Sequence, residues 1–141
     1  MPESETRNMD AQTKYEYWLE TAQYDLDTAD AMLTSGRWLY VVFMCQQAAE
    51  KLEKGLYVLY IDDNVPRTHN IRAVFGKYRC MLSCDISDEF YNLFEELTAH
   101  YLNGRYTEYK DMLNTRVNER IASEFITRTK EVFAWLLTMK P

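Results

Sequence analysis

Apolar side chains recur every three or four residues along most of the chain, and this period predicts helices. The longest such stretch runs from residue 37 to residue 61 and contains no proline. Its apolar or small positions follow one side of a helix: Val41, Cys45, Ala48, Leu52, Gly55, Leu56 and Leu59. We therefore expect a central helix of about 25 residues, on the order of 37 Å long, with one buried face.

A polar stripe lies on the same helix, about 100° around its axis from the apolar face. Gln47, Glu50, Lys51 and Lys54 are spaced i, i+3, i+4 and i+7, so their side chains line up. Two interpretations of this stripe stay open. It is either a solvated edge with local ion pairs or a polar ledge that faces a partner or a ligand.

The segment before the central helix predicts a tail and one further helix. Residues 1–11 are polar and lack periodicity, which is typical of a flexible tail. A helix is expected to begin near residue 12, with Thr13 as its cap and Glu16 in the matching capping-box position. Gly36 favours a turn at its end, so the first two helices should form an antiparallel hairpin.

The remaining sequence predicts three more helices. Thr68 or Asn70 caps the third, Ser87 caps the fourth, and the last begins near Thr115. We see no strand pattern and no repeat. The fold class predicted is all-α, an up-and-down antiparallel bundle of about five helices, with a tail over residues 1–11 and a single domain over residues 12–141.

The charge balance limits the classes of partner. The 141 residues include 16 Lys and Arg against 22 Asp and Glu, which gives a net charge of −6. Binding to the phosphates of nucleic acid needs clustered positive charge, so nucleic acid is not an expected partner. The three cysteines, the lack of a signal-peptide pattern and the lack of a long apolar run favour the cytoplasm and no membrane association.

Candidate chemistry is sparse because the chain has two histidines. Neither lies in the Glu-x-x-His pattern of a di-iron bundle, and no zinc, phosphate-loop or dinucleotide motif is present, so we expect no metal and no cofactor. His69 stands at a loop-to-helix junction, where a structural role is the alternative to a functional one. His100 and Tyr101 precede Arg105 and Tyr106; these residues either stack a base and pair with a phosphate or pack on the bundle end.

Several of these residues together resemble the HEPN family (higher eukaryotes and prokaryotes nucleotide-binding domain). The most specific element is the block QQAAEK at residues 46–51. It is accompanied by Pro66-x2-His69-Asn70 and by Tyr101-x3-Arg105-Tyr106. The similarity extends over roughly residues 14 to 137.

The resemblance implies a helical bundle that is often dimeric and is frequently encoded beside a minimal nucleotidyltransferase in prokaryotic toxin–antitoxin pairs. Many members are metal-independent ribonucleases that use an Arg and a His separated by four to six residues. That spacing is absent here, because residues 62–64 are Asp, Asp and Asn and residues 93–95 are Leu, Phe and Glu. Thr107 also replaces the proline of the family's Arg-Tyr-Pro element.

The leading hypothesis is therefore a non-catalytic domain of this type that forms a homodimer and binds a nucleotide or a nucleotidyltransferase partner. The site residues it implies are Gln47, Lys51, Lys54, His69, Arg105 and Tyr106. Lys51, Lys54 and Arg105 would contact phosphate, and Tyr106 would stack on a base. The alternatives are a divergent ribonuclease toxin that uses His69 or His100, and a homodimeric adaptor without a small ligand, whose surplus aromatic side chains face another chain.

Overall fold

A computed structural model of the chain describes residues 10–103 and 117–141, and over these residues it forms five α-helices and no strand. The helices are α1 (Ala11–Thr34), α2 (Trp38–Tyr60), α3 (Ile71–Tyr78), α4 (Asp88–Asn103) and α5 (Glu119–Leu137). A single 3₁₀ turn, Arg79–Met81, follows α3. The predicted all-α bundle is confirmed.

Side-chain caps set several of the helix starts. Asn70 accepts a hydrogen bond from the backbone N–H of Ala73, and Asn118 does the same for Ile121, so each of these helices begins one residue later. The cap of α1 differs from the prediction. Asp10, not Thr13, is the cap: its carboxylate accepts from the backbone N–H of Thr13 at 2.7 Å, and its negative charge suits the helix N-terminus better than a hydroxyl does.

The turn between α1 and α2 is the one expected from Gly36. Ser35 is the C-cap of α1, and Gly36 has a φ of +77°, a left-handed conformation that glycine adopts without strain. Because the turn is so short, α1 and α2 lie side by side along most of their length. The predicted hairpin positions the polar residues of α2 next to those of α1.

The core surrounds α2, which packs against each of the four other helices. Of its predicted apolar face, Leu59 is partly buried and the other positions are buried: Val41, Cys45, Ala48, Leu52, Gly55 and Leu56. Burial raises the pKa of the Cys45 thiol to about 12, so this cysteine is an inert part of the core. In α5, the apolar period predicts Leu137 inside, but this residue is 38% exposed because it points about 100° away from its fully buried neighbour Leu136.

Candidate functional site

The polar stripe of α2 is not a solvated edge. Glu50 and Lys54 are buried, and Gln47 and Lys51 are half-buried. Burying charged groups costs free energy unless they are paired and hydrogen-bonded, so the partners of these side chains determine what the stripe does.

Glu50 is the centre of a network that joins α2 to the linker before α3. Its Oε1 accepts hydrogen bonds from Gln46 Nε2 and His69 Nδ1, both at 3.0 Å, and its Oε2 accepts from Lys54 Nζ at 3.1 Å. The Gln46 amide also donates to the backbone carbonyl of His69 at 2.8 Å, and Gln47 donates to Gln46 at 2.7 Å. We call Gln46, Gln47, Glu50, Lys54 and His69 the Glu50 network.

The network fixes the orientation of the His69 ring. A carboxylate that is paired with Lys54 has only acceptor positions to offer, so Nδ1 of His69 must carry the proton in this contact. Its Nε2 then lies on the opposite side of the ring, and no described residue is within hydrogen-bonding distance of it. The His69 side chain is 42% exposed, so it lies partly at the surface.

Four rings form a row that begins at His69 and ends at Tyr40. The centroid of His69 lies 5.0 Å from that of Tyr101 in the last turn of α4, which lies 6.0 Å from Phe43 in α2. Phe43 in turn makes an edge contact with Tyr40 at 5.6 Å. We call Tyr40, Phe43, Tyr101 and His69 the aromatic row. Such rings offer faces and edges for stacking a planar group.

Lys51 lies on the edge of the same stripe that faces α1, and its side chain contacts α1. Its Nζ lies 2.5 Å from a carboxylate oxygen of Asp25, and the two side chains are 25% and 13% exposed. The position of Asp25 off the apolar stripe of α1 predicts a solvated acidic surface, whereas Asp25 is the partner that neutralises Lys51. Of the predicted site residues, His69, Gln47 and Lys54 are thus brought together, and Lys51 belongs to a neighbouring ion pair.

Arg105 and Tyr106, the remaining predicted site residues, lie outside the described residues. The residues that sequence reasoning left out of the site are Gln46, Glu50, Tyr101, Phe43 and Tyr40. For the first two a signal existed, because Gln46, Glu50 and Lys54 are spaced four residues apart and so contact one another along one helix face. No such signal exists for contacts between rings on different helices.

His100 lies in a different environment. Its Nδ1 is 2.8 Å from the backbone carbonyl of Glu96, and its ring packs edge-on against Phe125 at 5.2 Å. It lines a groove of about 870 Å³ between α4 and α5, whose other polar residues include Glu89, Glu95, Glu96, Glu131 and Arg128. Four carboxylates against one guanidinium make this groove unsuited to a phosphate.

Within residues 10–103 and 117–141, no group of three or more His, Cys, Asp or Glu side chains is arranged to hold a metal ion. In the same part of the chain, no helix has the length and apolar content needed to cross a membrane.

Fold and site together define an all-helical domain built around a central helix with an internal polar network. A model of the HEPN domain matches residues 15–139, and the chain belongs to this family. The resemblance expected from QQAAEK and its accompanying residues is thereby confirmed. A search of curated proteins gives no match.

Two solved structures have a similar fold. One is the crystal structure of TT1696 from Thermus thermophilus, with a TM-score of 0.76, 21% identity, and coverage of 89% of this chain and 98% of that one. The other is ST0689, an archaeal HEPN homologue, with a TM-score of 0.70, 22% identity, and coverage of 91% and 98%. At these identities the likeness concerns the fold alone.

Proposed function

We propose that this HEPN domain binds a nucleotide at the aromatic row and acts by binding, without catalysis. The observation that carries the proposal is the row itself, which ends at a histidine whose side chain is 42% exposed and whose orientation is held by Glu50. Aromatic faces stack on bases of any type, and an unprotonated Nε2 accepts a hydrogen bond from a base amino group or a ribose hydroxyl.

The predicted phosphate contacts enter this proposal in a modified form. Lys54 already pairs with Glu50 and Lys51 with Asp25, so neither ammonium is a ready phosphate ligand. A phosphate would have to compete with a carboxylate at each position. In this proposal Lys54 and Gln47 position His69 through the Glu50 network. Arg105 contacts the phosphate, and Tyr106 stacks on the base.

Calorimetric titration with ATP, GTP, ADP and GDP tests the proposal. We expect saturable heat with at least one nucleotide, and at least a tenfold loss of affinity in His69→Ala and in Tyr101→Ala. Tyr24→Ala is the matched control, because Tyr24 is a 72% exposed tyrosine on α1 away from the row. Absence of heat with all four nucleotides, or equal losses in the control, contradicts the proposal.

A ribonuclease is the second candidate, and one observation favours it. A carboxylate that orients Nδ1 leaves Nε2 as a general base, which is how carboxylate–histidine pairs act in hydrolytic enzymes. The family's Arg-x4–6-His spacing is nevertheless missing. If purified protein cleaves RNA without added metal and His69→Ala abolishes cleavage while His100→Ala does not, this candidate replaces the first.

Homodimer formation and a nucleotidyltransferase-type partner, with a toxin–antitoxin-like pairing, are further parts of the proposal. The aromatic side chain of Tyr17 on α1, which is 58% exposed and not part of the aromatic row, supports a protein-binding surface. The three free cysteines support a cytoplasmic location. Sedimentation at micromolar concentration should give twice the monomer mass, and a monomer mass contradicts the homodimer. The absence of a nucleotidyltransferase reading frame beside the gene contradicts the paired partner.

A further inference from the structure

A second buried carboxylate lies one turn beyond Glu50 on α2. The side chain of Glu53 is 0% exposed, and neither of its oxygens has a hydrogen-bond partner among the described residues. Buried polar atoms are nearly always hydrogen-bonded, so a carboxyl group of this kind requires an explanation. Lys54, the adjacent cation, is committed to Glu50.

Two tyrosine hydroxyl groups share this property. Tyr15 on α1 and Tyr78 on α3 are 2% and 0% exposed, and their hydroxyl oxygens also lack a described partner. Tyr15 lies directly on the α2 backbone, since a Cβ placed on Gly55 would be 3.2 Å from its Cδ2. Tyr78 stacks on Tyr60 with centroids 5.5 Å apart. We call Tyr15, Glu53 and Tyr78 the Glu53 junction.

Burial and a neighbouring carboxylate set the electrostatic environment of Glu53. Burial first, and the Glu50 carboxylate second, hold the pKa of Glu53 well above its usual range. Burial raises the pKa of Tyr78 as well, and Glu53, Tyr60 and Tyr15 add to this effect. Among the described residues, Lys54 is paired with Glu50, and Lys140 lies over the Tyr15 ring at 5.4 Å from its centroid.

We propose that Glu53 is carried as a neutral carboxylic acid that binds an internal water molecule together with the hydroxyls of Tyr15 and Tyr78. A buried water typically makes about three hydrogen bonds, and the junction supplies three polar groups from three helices. A protonated carboxyl group both donates and accepts, as does each phenol, so each of the three groups can bond to a water. Glu53 and Tyr15 both act electrostatically on the Tyr78 hydroxyl, which supports a shared position for that water. The proposal is independent of whether the aromatic row binds a nucleotide.

The junction makes the stability of the fold depend on pH in a defined direction. A carboxyl group whose folded pKa lies above its unfolded value stabilises the folded state below the unfolded pKa. That contribution is lost as the pH rises towards the folded pKa, because unfolding then releases a proton. Raising the pH from 5 upwards should therefore weaken the contact between α1, α2 and α3.

Thermal unfolding of the full chain between pH 5 and pH 9 tests the proton. Glu53→Gln keeps the shape of the side chain and has no charge to gain. Its unfolding midpoint should fall less with pH than that of the wild type, and it should exceed the wild-type midpoint at pH 9. Glu20→Gln, at an exposed position on α1, is the control and should follow the wild type. Parallel curves for all three proteins would overturn the proposal.

Infrared spectroscopy of the wild type tests the neutral acid directly, whether or not Glu53→Gln folds. At pH 7 the wild type and Glu20→Gln should show the stretching band of a protonated carboxyl group, and Glu53→Gln should lack it. Its absence from the wild type overturns the neutral acid. The water is tested by a high-resolution crystal structure, which should show density within hydrogen-bonding distance of Glu53 and a tyrosine hydroxyl. A direct Glu53–Tyr78 hydrogen bond with no water density would overturn the proposed water.

Discussion

Glu50 and Glu53 lie one turn apart on α2 and are both buried, yet their surroundings are opposite. Glu50 accepts hydrogen bonds from three side chains, two of which carry or can carry positive charge. Glu53 has no described hydrogen-bond partner, and it acts electrostatically on the buried hydroxyl of Tyr78. Three residues turn a helix by about 300°, so the two carboxyl groups are aimed about 60° apart.

This difference shows that burial alone does not determine what a carboxylate does. On the Glu50 side, the linker supplies Nδ1 of His69 as a hydrogen-bond donor, and Gln46 and Lys54 of α2 supply two more, so both carboxylate oxygens are hydrogen-bonded there. On the Glu53 side, the neighbours are two helices packed with aromatic rings, so the charged form is disfavoured. The surroundings of Glu50 supply hydrogen-bond donors to a carboxylate, whereas the surroundings of Glu53 favour the protonated carboxyl group.

The largest effect is expected from removing the carboxylate of the Glu50 network. Glu50→Ala leaves Lys54 buried without a counter-charge and removes the acceptor of Gln46 and His69. We expect a loss of about 3 kcal/mol in the free energy of unfolding, measured with urea. Glu124→Ala, which breaks an exposed ion pair, is the control and should have little effect. A loss in Glu50→Ala no larger than in the control would mean that the network does not stabilise the fold.

The Glu53 side is next tested through its packing. In Gly55→Ala the new Cβ would lie 2.9 Å from Cβ of Trp18, an atom that cannot move without α1. We expect a loss of about 1–3 kcal/mol, despite the gain in helix propensity. Gly76→Ala is the matched control in α3, where a Cβ meets nothing within 4 Å, and it should stabilise by up to about 1 kcal/mol. Stabilisation by both substitutions would show that α1 is not held tightly there.

The Lys51–Asp25 pair allows the comparison to be extended to a half-buried contact. Lys51→Met should cost about 1 kcal/mol, because Asp25 keeps a mostly covered charge. A double-mutant cycle with Asp25→Asn should give a coupling of similar size, measured by urea unfolding. Additive effects of the two substitutions would indicate that this pair does not link α1 to α2.

The smallest effect is expected at the surface. Lys130 of α5 and Asp30 of α1 form an ion pair, with Nζ of the lysine 2.9 Å from a carboxylate oxygen of the aspartate. Their side chains are 48% and 47% exposed. Lys130→Ala should change the unfolding free energy by no more than about 0.5 kcal/mol, and added salt should remove the difference. A larger loss that persists in high salt would show that packing of the lysine stem, and not charge, is responsible.

Much of the fold could be predicted because the signals for helices are local in sequence. The apolar period predicted a helix over residues 37–61, and α2 spans Trp38–Tyr60. Gly36, Asn70 and Ser87 mark helix ends through their effect on the nearby backbone alone, and each acts as expected. The wrong cap predicted for α1 also involved a local signal, because Asp10 and Thr13, three positions apart, are both residue types that cap helices.

The site was harder to predict because its contacts depend on where the linker passes. Nothing in the spacing of Glu50 and His69, which are 19 residues apart, indicates that the two side chains meet. Likewise, the position of Asp25 off the inward stripe suggested solvent, whereas the edge of α1 lies against Lys51. The family resemblance directed attention to His69 and Lys51 but did not indicate that the lysine is already neutralised.

The Gln46 amide, which donates both to Glu50 and to the backbone carbonyl of His69, has a consequence for the segment before α3. That segment, residues 61–70, is neither helix nor strand, so by itself it would open freely. Because Gln46 of α2 is hydrogen-bonded to the backbone of His69, this end of the segment should unfold locally only together with the surrounding core. A protease should therefore find the exposed Asp62–Asn64 stretch a better substrate than the peptide bonds beside His69.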